Sequence, residues 1–160
     1  EELDVVSLIK LLLTKNQEAR VAVLCYGISE MKQIAKWLRN SDISYQKINR
    51  NFDYELLLPG VKLVTYHSAK GLEFNNVIMP LLDKDLFPHM ENIDMKDKNA
   101  IEDSLNIGRS LMYVGMTRAT DSVYMFACRG EDGMPSPVLK DFDRCYMRVI
   151  GNEEDLFSEV

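Results

Sequence analysis

Residues Thr65–Phe74 read T-Y-H-S-A-K-G-L-E-F and stand between two runs, Lys62–Tyr66 and Val77–Leu82, that are short and carry β-branched residues. That pattern predicts two strands, with the segment around Ala69–Leu72 turning between them. Upstream, Val21–Cys25 (VAVLC) is continuously apolar, as in a strand buried on both faces. Before it, Val5, Leu8, Ile9 and Leu12 recur at i, i+3, i+4 and i+7 and predict a helix over 4–15, with Asp4 placed to cap it. After it, Ser29 reads as the N-cap of a second helix whose Met31, Ile34, Ala35 and Leu38 share one face, and Ile43–Ile48 reads as a further strand.

Downstream, residues 83–103 change character: seven acids stand against three bases, with Pro88 and Asn92 as breakers, which predicts a solvated acidic loop. Ile101–Ala119 reads as a helix, although Gly108 and Gly115 weaken it. Ser122–Ala127 (SVYMFA) reads as a buried strand, Ser136–Tyr146 as a short helix, and 150–160 as an acidic tail. Strands alternating with helices predict an α/β fold with a mostly parallel sheet, one domain over 1–160 with its core at about 20–128. In such folds ligands collect beyond the carboxyl ends of the strands, and both motifs described below read as lying at or beside such ends.

The 160 residues are the size of one globular domain, and 46% hydrophobic with 28% charged is a folded composition, not a disordered one. No apolar run reaches the roughly 20 residues of a membrane-spanning helix, and the acidic start EELDVV does not read as a secretory signal. Cys25, Cys128 and Cys145 lack CxxC spacing, which favours reduced, buried cytoplasmic thiols over a zinc site. The net charge of −6 argues against binding nucleic acid by bulk electrostatics, so any such contact must be local or shared with a basic partner.

Two segments carry chemistry. In the first, Thr65, His67 and Ser68 can donate to phosphate oxygens without sequence readout. Gly71 permits positive φ or close backbone approach, and Glu73 can accept from a ribose hydroxyl. Taken singly, each also has an ordinary structural reading. The second segment, Arg109–Ala119, reads R-S-L-M-Y-V-G-M-T-R-A. Leu111, Val114 and Arg118 share roughly one helical stripe. A rigidly held guanidinium at Arg118 suits the charge that spreads over a transferring γ-phosphoryl group, a contribution on the order of 10³–10⁵ in rate in other phosphoryl-transfer enzymes. The same arginine could equally cap the helix C-terminus.

The first segment resembles motif V of the UvrD-, Rep- and PcrA-type superfamily 1 helicases, T-x-H-x-A-K-G-L-E-F followed by an apolar strand, and Leu86-Phe87-Pro88 is similar to the "FP" that follows there. The second resembles motif VI, R-L-x-Y-V-x-x-T-R-A, and stands downstream of the first in the family's order. The resemblance implies a RecA-like, P-loop NTPase-type fold, here the C-terminal motor domain of an ATP-dependent DNA helicase or translocase. It implies Thr65 and His67, beside Ser68, on single-stranded DNA, and Gly71 and Glu73 on ATP. It also implies Arg118 as the catalytic finger on the γ-phosphate, and Arg109 as a structural ion-pair partner.

The chain departs from the family in three places. Tyr26 stands where the family's motif IV carries an arginine after the strand. Asn49–Gly60 leaves room only for a loop where an accessory domain is inserted, which resembles compact helicase IV-like or HelD-like members. No GxxxxGK[ST] loop and no Walker-B-like acidic pair is present. ATP and Mg²⁺ would therefore be bound mainly by a preceding N-terminal RecA-like domain. The absence of an initiator methionine suggests a C-terminal fragment of a longer protein, itself expected to be inactive. A regulatory ATPase acting on RNA polymerase, or a non-catalytic interaction domain, is the alternative expectation.

Overall fold

The computed structural model describes residues 1–48, 57–84, 86–90, 93–127 and 134–150. Most of the Asn49–Gly60 loop, Cys128, part of the acidic stretch and the acidic tail beyond 150 lie outside the described residues. The described elements run α1 (Glu2–Lys15), β1 (Arg20–Cys25), α2 (Ile28–Asn40), β2 (Tyr45–Lys47), β3 (Gly60–Thr65), β4 (Phe74–Met79), α3 (Lys98–Met116) and β5 (Ala119–Met125). Two 3₁₀ turns follow, Pro137–Asp141 and Arg144–Tyr146. The strands form one sheet in the order β2-β3-β1-β4-β5, and every neighbouring pair is parallel. No helix among the described residues is long and apolar enough to cross a membrane.

By contacts the chain divides into two compact units, residues 1–80 with 111–126, and residues 81–110 with 127–160. The first unit holds the sheet. Val21–Cys25 at its centre are fully buried, as an unbroken apolar run flanked on both sides by strands should be. Helix α2 packs on β1, β3 and α1 through Ile34, Ala35, Trp37 and Leu38. Lys62 on β3 is also fully buried, and its ammonium donates to the Gln46 side chain on β2 and to the Pro59 carbonyl at 3.5 Å. Hydrogen bonds to fixed acceptors are what make a buried charge tolerable.

Several local expectations are corrected. Glu1, not Asp4, is the N-cap of α1, and Asp4 stands in its first turn, where the helix dipole favours a carboxylate. Gly27, not Ser29, is the N-cap of α2. The buried Glu30 carboxylate reaches back to the Gly27 N–H at 3.0 Å and also accepts from the Ser29 hydroxyl at 2.9 Å. Strand β4 starts and stops three residues before the run Val77–Leu82, because pairing begins at Phe74 and Pro80 cannot extend it. Strand β5 is half-buried where SVYMFA suggested full burial, since it is the edge strand of the sheet.

The second unit corrects the acidic loop. Helix α3 begins at Lys98, inside it, because the Asp97 carboxylate accepts from the N–H groups of Asn99 and Ala100 at 3.0 and 3.2 Å. Phe87 and Pro88 are buried rather than solvated. Gly108 is a packing site, since an added Cβ would lie 3.1 Å from both Pro88 and Val138. Residues 136–146 form the two 3₁₀ turns rather than one helix, with the Ser136 hydroxyl accepting from Val138 N–H at 3.3 Å.

Candidate nucleotide and nucleic-acid site

Strand β3 ends at Thr65, level with Cys25 on β1, at the carboxyl edge of the sheet. The Tyr66 N–H donates to the Cys25 carbonyl at 3.2 Å and carries the pairing one residue further. The chain then turns. Ala69 N–H donates to the Thr65 carbonyl at 2.9 Å and Leu72 N–H to the Ala69 carbonyl at 3.0 Å. The Thr65 hydroxyl accepts from Ser68 N–H at 3.2 Å and donates to Ser68 Oγ at 3.0 Å. Thr65 is therefore committed to shaping the turn, whereas His67 is exposed and Ser68 half-buried on its outside.

The segment that follows does something the sequence did not announce. Phe74 opens β4 level with Ala119 at the start of β5, and Asn76 pairs with Val21 near the start of β1. Residues 66–73 thus run from the carboxyl edge back to the amino edge while stepping across β1. Gly71 lies on this path with φ +85° and open space around it, and Glu73 is exposed where the path arrives. Positive φ is what a glycine tolerates and other residues resist.

Arg118 arrives at the same edge. It follows α3, whose last turn lies so close to the sheet that a Cβ at Gly115 would come within 2.8 Å of Leu24 and 3.0 Å of Met79 and Tyr66. The Arg118 carbonyl accepts from Phe74 N–H at 2.9 Å. Its half-buried side chain donates through Nη1 to the Leu72 carbonyl at 3.3 Å and through Nε to the Val114 carbonyl at 3.2 Å. Nη2 donates to Thr117 Oγ1 at 3.1 Å. The helix-cap reading of Arg118 and its approach to the first motif are thus both realised, by different nitrogens of one guanidinium.

These placements correct one expectation. Thr65, His67 and Ser68 lie at the carboxyl edge, while Glu73 and the Arg118 backbone stand at the amino edge, with Gly71 on the path between. The physical reason is that Glu73 and Arg118 immediately precede strands, and the eight-residue crossover between β3 and β4 is too short for a covering helix. Tyr26 lies beyond Cys25 at the carboxyl edge, whereas the Arg118 backbone precedes β5 at the amino edge.

Sequence reasoning missed Leu72, which contributes only a carbonyl, Thr117, and Asn75. The last sits at a register irregularity in β4, and its side chain accepts from Arg20 N–H at 3.0 Å and donates to Asp121 at 3.3 Å. A bulge of this kind, which commonly re-aims side chains beside a site, here ties together the amino ends of three strands. Arg109 is structural, as expected, pairing with Glu102 at 2.8 Å and Asp141 at 2.7 Å. All the other groups named in this section belong to the first unit. Near the start of β4 and β5 they bring together one half-buried guanidinium, Arg118, and one exposed carboxylate, Glu73. No group of three His, Cys, Asp or Glu among the described residues could hold a metal ion.

The model of the UvrD-like helicase C-terminal domain matches residues 49–130, a little over half of the chain, and spans both motifs. The chain belongs to that family. Among the relatives of this UvrD-like C-terminal domain is the ATP-dependent DNA helicase PcrA of Staphylococcus epidermidis, 38% identical over 89 residues, which are 51% of this chain and 12% of the relative. PcrA of Staphylococcus aureus is 37% identical over 89 residues, with the same shares covered. The matched part of this domain thus corresponds to about an eighth of the length of those relatives. Among solved structures, the C-terminal domain of a possible DNA helicase from Lactobacillus plantarum WCFS1 superposes with a TM-score of 0.60 at 23% identity, covering 90% of this chain and 74% of the other. That likeness concerns the fold, an α/β architecture with a parallel sheet.

Proposed function

We propose that this UvrD-like domain is the second motor domain of a cytoplasmic, ATP-driven DNA helicase or translocase. It closes on ATP held mainly by an N-terminal RecA-like domain of the same protein. Arg118 meets the γ-phosphate and stabilises charge as it develops, and Glu73 accepts from the ribose, with Gly71 letting the backbone come close. Mg²⁺, ligated by the other domain, supplies further neutralisation of the phosphates when bound. At the carboxyl edge His67 and Ser68 contact the backbone of single-stranded DNA, and Thr65 supports them through the turn its hydroxyl holds. Such contacts are independent of base sequence.

The observation that carries this reading is the 3.3 Å bond from Arg118 Nη1 to the Leu72 carbonyl. It joins the two motifs at a single edge, with Gly71 and Glu73 on either side of the acceptor. The relatives are described as DNA helicases, which favours a DNA strand over RNA polymerase as the substrate. The isolated chain, with no phosphate loop in its sequence, is expected to hydrolyse no ATP. In the full-length protein, Arg118→Ala is expected to lower kcat for ATP hydrolysis by about 10³-fold or more while ATP binding changes little. Near-normal turnover by that variant would remove the finger from Arg118.

A further inference from the structure

An arginine finger works only if its guanidinium is already in place when the phosphate arrives, because a long flexible side chain loses much of its contribution in being ordered. Among the described residues three groups hold Arg118. Two are main-chain carbonyls, of Val114 and Leu72, and the third is the hydroxyl of Thr117. Thr117 is thus the one side chain in the set, and the only member that substitution can remove.

Proton accounting fixes what that hydroxyl does. Thr117 Oγ1 lies 2.9 Å from the Tyr113 carbonyl and 3.1 Å from the Val114 carbonyl, so its single proton goes to one of these acceptors. Its lone pairs remain to accept from Arg118 Nη2 at 3.1 Å. The hydroxyl therefore transfers the rigidity of the last turn of α3 to the guanidinium. Of the five N–H donors of an arginine, three are engaged in this way, leaving one on Nη1 and one on Nη2. Two N–H groups on the two terminal nitrogens are what a pair of phosphate oxygens accepts.

We infer that Thr117 is a positioning residue for Arg118, setting the guanidinium so that its remaining donors are presented to a phosphate. The inference rests on Arg118 being the finger. Thr117 itself is exposed, and the role assigned to it is exerted through its neighbour.

The test uses the full-length protein in DNA-stimulated ATP hydrolysis. Thr117→Val keeps the shape and loses the hydroxyl, Thr117→Ser keeps the hydroxyl, and Arg118→Ala serves as reference. Thr117→Val is expected to lower kcat by about 10- to 100-fold, the cost of a misplaced catalytic group, while KM for ATP stays within about twofold. Affinity for ADP with aluminium fluoride, a transition-state mimic, should fall by a similar factor while affinity for ADP alone does not. Thr117→Ser should recover most of both losses. Wild-type kcat in Thr117→Val beside a crippled Arg118→Ala overturns the Thr117 role and leaves the finger standing. Full turnover by Arg118→Ala overturns both. Equal losses of ADP and mimic affinity, unrescued by serine, would assign Thr117 to packing and overturn the positioning role.

Discussion

Tyr26 and Arg118 lie at opposite edges of the sheet. Tyr26 follows Cys25, which is level with Thr65, whereas Arg118 precedes Ala119, which is level with Phe74. Six residues separate the two levels, roughly 20 Å at about 3.3 Å per residue of strand. The tyrosine that replaces an expected arginine is therefore a neighbour of the proposed strand-binding turn and not of the phosphate.

Installing the arginine should act accordingly. Tyr26→Arg in the full-length protein is expected to leave kcat for ATP hydrolysis within about twofold, since the added charge is screened over such a distance. If the guanidinium reaches a backbone phosphate, the salt dependence of single-strand binding should steepen by about 0.7 in log–log slope. A large gain in turnover with unchanged DNA binding would contradict the edge assignment.

Gly115 is expected to be intolerant of a side chain. Alanine gains up to about 1 kcal/mol in helix propensity, but its methyl would press on Leu24, Met79 and Tyr66 at 2.8–3.0 Å. Overpacking of this kind typically costs about 1–3 kcal/mol. Gly115→Ala should therefore lower the denaturation midpoint in urea with no change in slope, and a stabilised variant would show that the sheet gives way.

Arg109→Ala should separate the two arginines of the second motif. Arg109 is tied to Glu102, Asn106 and Asp141 on an exposed surface of the second unit. Exposed pairs contribute little to stability, so melting temperature and ATP turnover should both remain close to wild type. A loss of turnover comparable to that of Arg118→Ala would put Arg109 in the nucleotide site.

Alkaline pH should weaken the first unit. Burial, and secondarily the Glu30 carboxylate, pushes the Cys25 thiol up from 9.0 to about 12, and burial also raises the Tyr66 phenol. Both groups are neutral when protonated, so the native state holds protons that the unfolded chain releases. Their contribution is whole below about pH 9 and is lost as pH climbs toward 12. Urea midpoints measured from pH 8 to 11 should fall over that window. Cys25 should resist thiol reagents at pH 8 while the exposed Cys145 reacts.

Much of the fold was legible because its signals were local. Val21–Cys25 could only be a doubly covered strand, and the Ile34, Ala35, Leu38 stripe could only face a core. The candidate site residues could be proposed from their order and its resemblance to the family motifs. What could not be read was where each would stand. The crossover from Thr65 to Phe74 returns to the amino edge, as a connection between parallel strands must, but no local pattern shows that it does so in eight residues without a helix. Asp97 as a helix cap was hidden among the other acids of the 83–103 stretch. Thr117 drew no attention because a single hydroxyl at a helix end is common, and only the guanidinium beside it gives it a task.

The brevity of the 66–73 connection has a consequence of its own. Ala69 is folded back onto Thr65 and Leu72 onto Ala69, so only eight residues both make these turns and carry the chain to the opposite rim of the sheet. A connection with so few residues for both tasks is in effect a ruler. Adding or deleting one residue in it would shift His67 against its rim, or Glu73 against the other, and no surface bulge could take up the difference. Its length is therefore constrained as firmly as the identity of any side chain it bears.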